Sequence, residues 1–191
     1  MIALNIPANL KLKVTATEFE ELANANKDLR LERKASGEII IIPPTGGETG
    51  NKNLKILLQL GNWNEENSTG LVFDSSTGFK LPSSAILSPD ASWISNAKWN
   101  ALTPEQKKKF PPICPEFIIE LKSPTDKFKT LQKKMSEYLA NGLLLGWLID
   151  PINKKVEIYR AGKNKETLDR PTTLSGENIL PGFNLDLNKI W

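Results

Sequence analysis

The chain of 191 residues carries 25 basic and 22 acidic side chains, one cysteine and no histidine, giving a formal net charge of +3. The missing histidine excludes Ser-His-Asp and Cys-His catalysis, His-ligated zinc and HNH-type nuclease chemistry, and one cysteine supports neither a zinc finger nor an internal disulfide. Any metal must be a hard ion held by oxygen, which points to Mg2+ or Mn2+.

An apolar fraction of 39% and a charged fraction of 25% are those of a soluble globular protein. A chain of this size buries about 70% of its unfolded surface, enough for one domain over residues 1–191. No apolar run approaches the ~20 residues of a membrane span. Residues 1–12 lack the basic region and long apolar core of a secretory signal. With the lone cysteine, these features make the cytoplasm the expected compartment. Cys114 lies in a proline-rich stretch with no base to activate it. The small positive excess suits a polyanion partner, and lysines cluster at 107–109 and again at 122, 127, 129, 133 and 134.

In chain order, residues 15–26 read as a short helix capped by Thr15 or Thr17, with acids near its start. Residues 29–33 alternate as a strand, Lys34-Ala35-Ser36-Gly37 turns, and residues 38–42 return, so the pair predicts a hairpin ended by Pro43-Pro44. A long helix is expected from about Glu48 to Glu66. Its stripe comprises Leu54, Leu57, Leu58 and Gly61, widened by Ile56, Leu60 and Trp63. Short strands follow at 70–74 and 78–81, and another at 91–94. Thr103 and Pro104 open a helical turn in the excursion 99–110. Residues 117–121 form a buried strand, Leu131, Met135, Tyr138 and Leu139 mark an amphipathic helix ending at Asn141-Gly142, and 143–150 is a second buried strand. Strand, helix and strand together predict a parallel crossover. Residues 155–160 alternate as a further strand, and the tail 172–191 supplies a small hairpin or closing edge.

The chemistry concentrates where charge meets core. Phe117-Ile118-Ile119-Glu120-Leu121-Lys122 is apolar enough for an inner strand, yet carries an acid and a base two residues apart, on one face. Charges on a core strand are paired, bound to metal or used in chemistry. Thirty residues upstream, Ser88-Pro89-Asp90 precedes another short strand. Phosphodiester hydrolysis needs a nucleophilic water and neutralisation of charge at phosphorus, and carboxylate-held Mg2+ supplies both. Asp90 and Glu120 from neighbouring strands are the expected metal ligands, with the Leu121 backbone carbonyl as a third. Lys122 is expected to polarise the attacking water or stabilise the developing charge. An ordinary ion pair at a strand end is the competing explanation of Glu120 and Lys122.

Pro89-Asp90 followed by Glu120-Leu121-Lys122 resembles the PD-(D/E)XK signature of the restriction-endonuclease-like superfamily. Further landmarks make the chain similar, over nearly its whole length, to the bacterial Uma-type restriction endonuclease family. They are Gly37-Glu38-Ile39, Pro43-Pro44-Thr45-Gly46, Ser88-Pro89-Asp90, Glu120-Leu121-Lys122-Ser123-Pro124, Lys134 with Tyr138, and Gly146-Trp147-Leu148-Ile149-Asp150-Pro151. The resemblance implies an α/β fold with a central mixed sheet flanked by helices behind an N-terminal β-hairpin. It also implies Mg2+-dependent nuclease chemistry at Asp90, Glu120 and Lys122, a nucleic acid partner, and a homodimer. Glu48 and Glu32 are candidates for an additional acid, and Lys134 for a phosphate contact. The histidine often carried by the family near the long helix is missing here. The expected activity is a Mg2+-dependent endodeoxyribonuclease, with Mn2+ as substitute. The alternative is a catalytically silent nucleic-acid- or protein-binding module on the same fold.

Overall fold

The computed structural model describes residues 12–191. The stretch read above for a secretory signal lies, but for its last residue, outside the described residues. Thr15 closes a reciprocal capping box with Glu18 and starts α1 (Ala16–Ala25). Strands β1 (Arg30–Arg33) and β2 (Ile39–Ile42) pair antiparallel as the expected hairpin. The turn depends on Gly37, whose φ of +86° suits glycine and whose added Cβ would meet the Val14 carbonyl at 2.9 Å. Next come α2 (Gly47–Asn67), β3 (Gly70–Asp74), β4 (Phe79–Lys80), β5 (Ile86–Leu87) and β6 (Ala91–Ser95). Two short helices follow, α3 (Asn96–Asn100) and α4 (Pro104–Lys108), the second with a Thr103–Gln106 capping box. The remainder is β7 (Phe117–Leu121), α5 (Phe128–Ala140), β8 (Leu145–Asp150), β9 (Lys155–Arg160), β10 (Glu166–Asp169), β11 (Thr173–Ser175) and β12 (Asn184–Asp186).

Six strands form the central mixed sheet in the order β10-β9-β8-β7-β6-β3. Among the described residues its one parallel pair is β7 with β8, the crossover that α5 connects. The N-terminal hairpin joins β5 and β4 in a second sheet, and β11 with β12 closes the C-terminal end.

Alternation along β7 divides the core. Phe117, Ile119 and Leu121 face Ile56, Leu60 and Trp63 of α2 and the C-terminal residues Leu180, Phe183 and Leu185. Trp147 stacks on Phe183 with centroids 5.9 Å apart and meets Phe117 edge-on at 4.8 Å. Ile118 turns to the opposite face, against Met135 and Tyr138 of α5. Gly146 permits this approach: a Cβ there would lie 2.7 Å from the Met135 methyl.

The stripe expected on α2 is only half right. Leu54 and Leu58 are exposed at 53% each, while Thr49, Ile56, Leu60, Trp63 and Asn64 turn inward. The buried row is anchored by aromatic contacts and by the Trp93 indole N–H, which donates to Asn64, so polar residues share the inner face with apolar ones.

Candidate active site

Strand register sets the site. Ala91 pairs with Ile119, and one step further along the antiparallel ladder Asp90 stands across from Glu120. The Leu121 N–H donates to Asp90 Oδ2 at 2.8 Å. In an extended strand the N–H and C=O of one residue point to the same edge, so the Leu121 carbonyl also faces Asp90. Lys122 continues the pairing on the other side, its N–H donating to the Ile149 carbonyl at 2.9 Å.

The acids are buried and share cations. Glu120, 3% exposed, lies 2.8 Å from the Lys134 ammonium, which α5 brings down onto this face. Lys134 is also 2.8 Å from Glu32 Oε1 of β1 and donates to the Ser88 carbonyl at 3.0 Å. Glu32 in turn accepts the Ser88 N–H at 2.8 Å. At Asp90 Oδ1, Asn53 Nδ2 of α2 stands at 3.5 Å and the Arg30 guanidinium at 4.0 Å.

Three carboxylates outnumber the single ammonium among them. Burial, together with the charges of Asp90 and Glu32, pushes the Glu120 carboxyl up to about 8 against the opposing pull of Lys134. Burial likewise raises Asp90, opposed by Lys134, the Leu121 amide and Arg30. For Lys134 burial works downward, but Glu120 and Glu32 outweigh it and hold the ammonium charged. Tyr138, whose ring lies 6.0 Å from the Lys134 ammonium, is raised by burial and then by Glu120 and Glu32. The Cys114 thiol is buried and pushed up to about 12 by that burial, which leaves it without thiolate character.

Lys122 looks toward another partner. Its ammonium stands 3.8 Å from Asp150 Oδ1 at the end of β8, with both side chains largely buried. Asp150 is itself fixed by the amides of Ile152 and Asn153 and by the Asn153 side chain. Glu32 has joined the cluster. Glu48 is exposed on the first turn of α2 and makes no hydrogen bond or ion pair with the acids among the described residues. Lys134, read from the sequence as a phosphate contact, is engaged within the protein, donating to the Ser88 carbonyl and ion-paired with Glu32 and Glu120.

The sequence profile of the Uma2 family, described as "Putative restriction endonuclease", matches residues 16–188. The chain belongs to the Uma2 family. Its fold is similar to a crystal structure described as "a putative nuclease belonging to DUF820 from Anabaena variabilis ATCC 29413", with a TM-score of 0.77 at 21% identity. The alignment covers 93% of this chain and 97% of that one. No curated protein matches. Uma2 membership supports a nuclease function in general terms.

The donor set of this Uma2 site suits a hard cation. Asp90 Oδ1, the Glu120 carboxylate and the Leu121 carbonyl are all oxygens, and Mg2+ is usually held by one or two carboxylates while keeping several waters. Among the described residues no three acidic or Cys side chains form a ready-made cage. The Lys134 ammonium, between Glu32 and Glu120, provides charge compensation instead. Sequence reasoning did not find Asn53, Arg30 or Asp150. For Asp150 a signal existed: it ends the strand beside the one that carries Lys122.

Proposed function

We propose that the protein is a Mg2+-dependent endonuclease that hydrolyses DNA phosphodiester bonds, with Mn2+ able to substitute. The observation that carries this reading is the bond from the Leu121 amide to Asp90. It ties the second carboxylate to the strand bearing Glu120 and Lys122. Asp90, Glu120 and the Leu121 carbonyl would hold the ion, which when bound makes a ligated water more acidic and polarises a phosphoryl oxygen. Lys122, oriented by Asp150, assists the attacking water and offsets the negative charge that develops at phosphorus. Arg30 partly neutralises Asp90. Lys127, Lys129 and Lys133, all exposed near the start of α5, suit the backbone of a polyanion. A homodimer belongs to the same proposal, and sedimentation of the purified protein tests it.

The deciding experiment is relaxation of supercoiled plasmid by the purified chain. Nicking should require Mg2+ or Mn2+, stop in EDTA and disappear in Glu120→Ala and Lys122→Ala, with far-UV circular dichroism unchanged. Cutting that persists in EDTA or in Glu120→Ala contradicts the assignment.

One observation favours a second reading, a catalytically silent binding module. Lys134 compensates part of the acids' charge from within the protein, so the cluster depends less on a bound cation. Calorimetric titration with Mg2+ separates the two, because a binding module has no need of the ion.

A further inference from the structure

The Lys134 ammonium meets two carboxylates, Glu32 and Glu120, at 2.8 Å each and a main-chain carbonyl, Ser88, at 3.0 Å. The ammonium donates to the Ser88 carbonyl and pairs with the two carboxylates by charge. The side chain is largely buried, where unbalanced charge is costly. Two of its acceptors belong to one unit, because Glu32 also receives the Ser88 amide. The third, Glu120, belongs to the strand that would present the ion. Lys134 therefore has a fixed holding place on one side and a separable partner on the other.

We propose that Lys134 is the built-in counter-ion of the site. With no divalent cation bound and Glu120 ionised, its ammonium balances that carboxylate. A cation entering at Asp90 and Glu120 displaces it from Glu120 alone, while Glu32 and the Ser88 carbonyl retain it. The inference rests on the metal reading above and makes Lys134 a positioning residue that weakens cation affinity in exchange for a stable metal-free fold. No covalent bond changes in the exchange. Glu32 acts as the place where the displaced charge is kept, which accounts for a third buried acid beside the two expected ligands.

Calorimetric and thermal-shift titration of the full chain with Mn2+ at pH 8.5 tests this, comparing wild type with Lys134→Met. Removing a unit charge within a few ångströms of the ion should tighten Mn2+ binding about tenfold or more. The variant should also melt lower in EDTA and gain more from Mn2+ than wild type does. Equal or weaker Mn2+ binding by folded Lys134→Met overturns the proposal, although the metal reading survives. If neither protein binds Mn2+, both fall. Should Lys134→Met fail to fold with or without Mn2+, the pair Glu32→Gln and Glu32→Gln/Lys134→Met decides. Removing one acid should relieve the loss caused by Lys134→Met, whereas purely additive losses overturn the counter-ion role.

Discussion

Leu121 holds Asp90 by its main chain, the amide donating to Oδ2 across 2.8 Å. This bond fixes the spacing of the two candidate ligands without using the second oxygen of Asp90. Asp90→Asn keeps an acceptor for the amide, so stability should change little while Mg2+-dependent nicking is lost. Asp90→Ala leaves the amide without its partner and should cost about 1–3 kcal/mol in addition. Urea unfolding beside the plasmid assay checks both. Full nicking activity in Asp90→Asn would remove Asp90 from the site.

The pairing of Lys122 with Asp150 predicts that a residue outside the signature matters for rate. Lys122→Ala should lower single-turnover cleavage about 10²–10⁴-fold, the usual contribution of a group assisting proton transfer. Asp150→Asn should lower it less, because the amine remains but loses its orienting charge. Rapid-quench measurements at saturating Mg2+ distinguish the two. An Asp150→Asn rate equal to wild type would show that the pair has no part in the chemistry.

Burial pushes the Glu120 carboxyl up to about 8 in the folded protein, whereas an unfolded chain titrates at about 4.3. Between these limits the folded state binds more protons than the unfolded state. The stability Glu120 contributes is therefore complete at low pH and is lost as pH rises through that window. In EDTA, the melting temperature of Glu120→Gln relative to wild type should climb steadily from pH 4.5 to 8.5. A difference that stays flat would mean an unshifted carboxyl. Cation binding requires the ionised form, so cleavage should rise toward pH 8.

Behind the site, Phe183 stacks on Trp147 and is 2% exposed. Phe183→Ala should cost about 3–5 kcal/mol through the cavity it leaves. It lies on the face of the sheet opposite Glu120, so Mn2+ affinity should be unaltered in the folded fraction. Thermal melts with parallel Mn2+ titration measure both effects.

The central strands were legible because their patterns are extreme. The strand 117–121 is buried throughout, and one acid within such a run is conspicuous. Helix α1 announced itself through a threonine cap followed by acids, and α4 through Thr103 and Pro104. Strand β5, with two residues, and the five-residue α3 went unread because so short a segment carries no period. β10, exposed along most of its length, has no buried face to create one. Leu54 and Leu58 misled because apolar spacing alone does not choose between faces, and Asn64 and Thr49 occupy the inner one. Arg30 and Asn53 were hidden for a related reason: a polar residue on an amphipathic element looks solvated until its neighbour across the fold is known. Asp150 read as the last residue of the strand 143–150, and its side chain also accepts the amides of the turn that follows.

The claim on which the account rests is that Asp90 and Glu120 bind one divalent cation together. A crystal of the protein soaked in Mn2+, with data collected at the manganese absorption edge, measures this directly. The expected result is an anomalous peak bonded to both carboxylates and to the Leu121 carbonyl, absent in crystals of Glu120→Gln. A manganese-free site at saturating ion, or a peak that touches neither carboxylate, contradicts it.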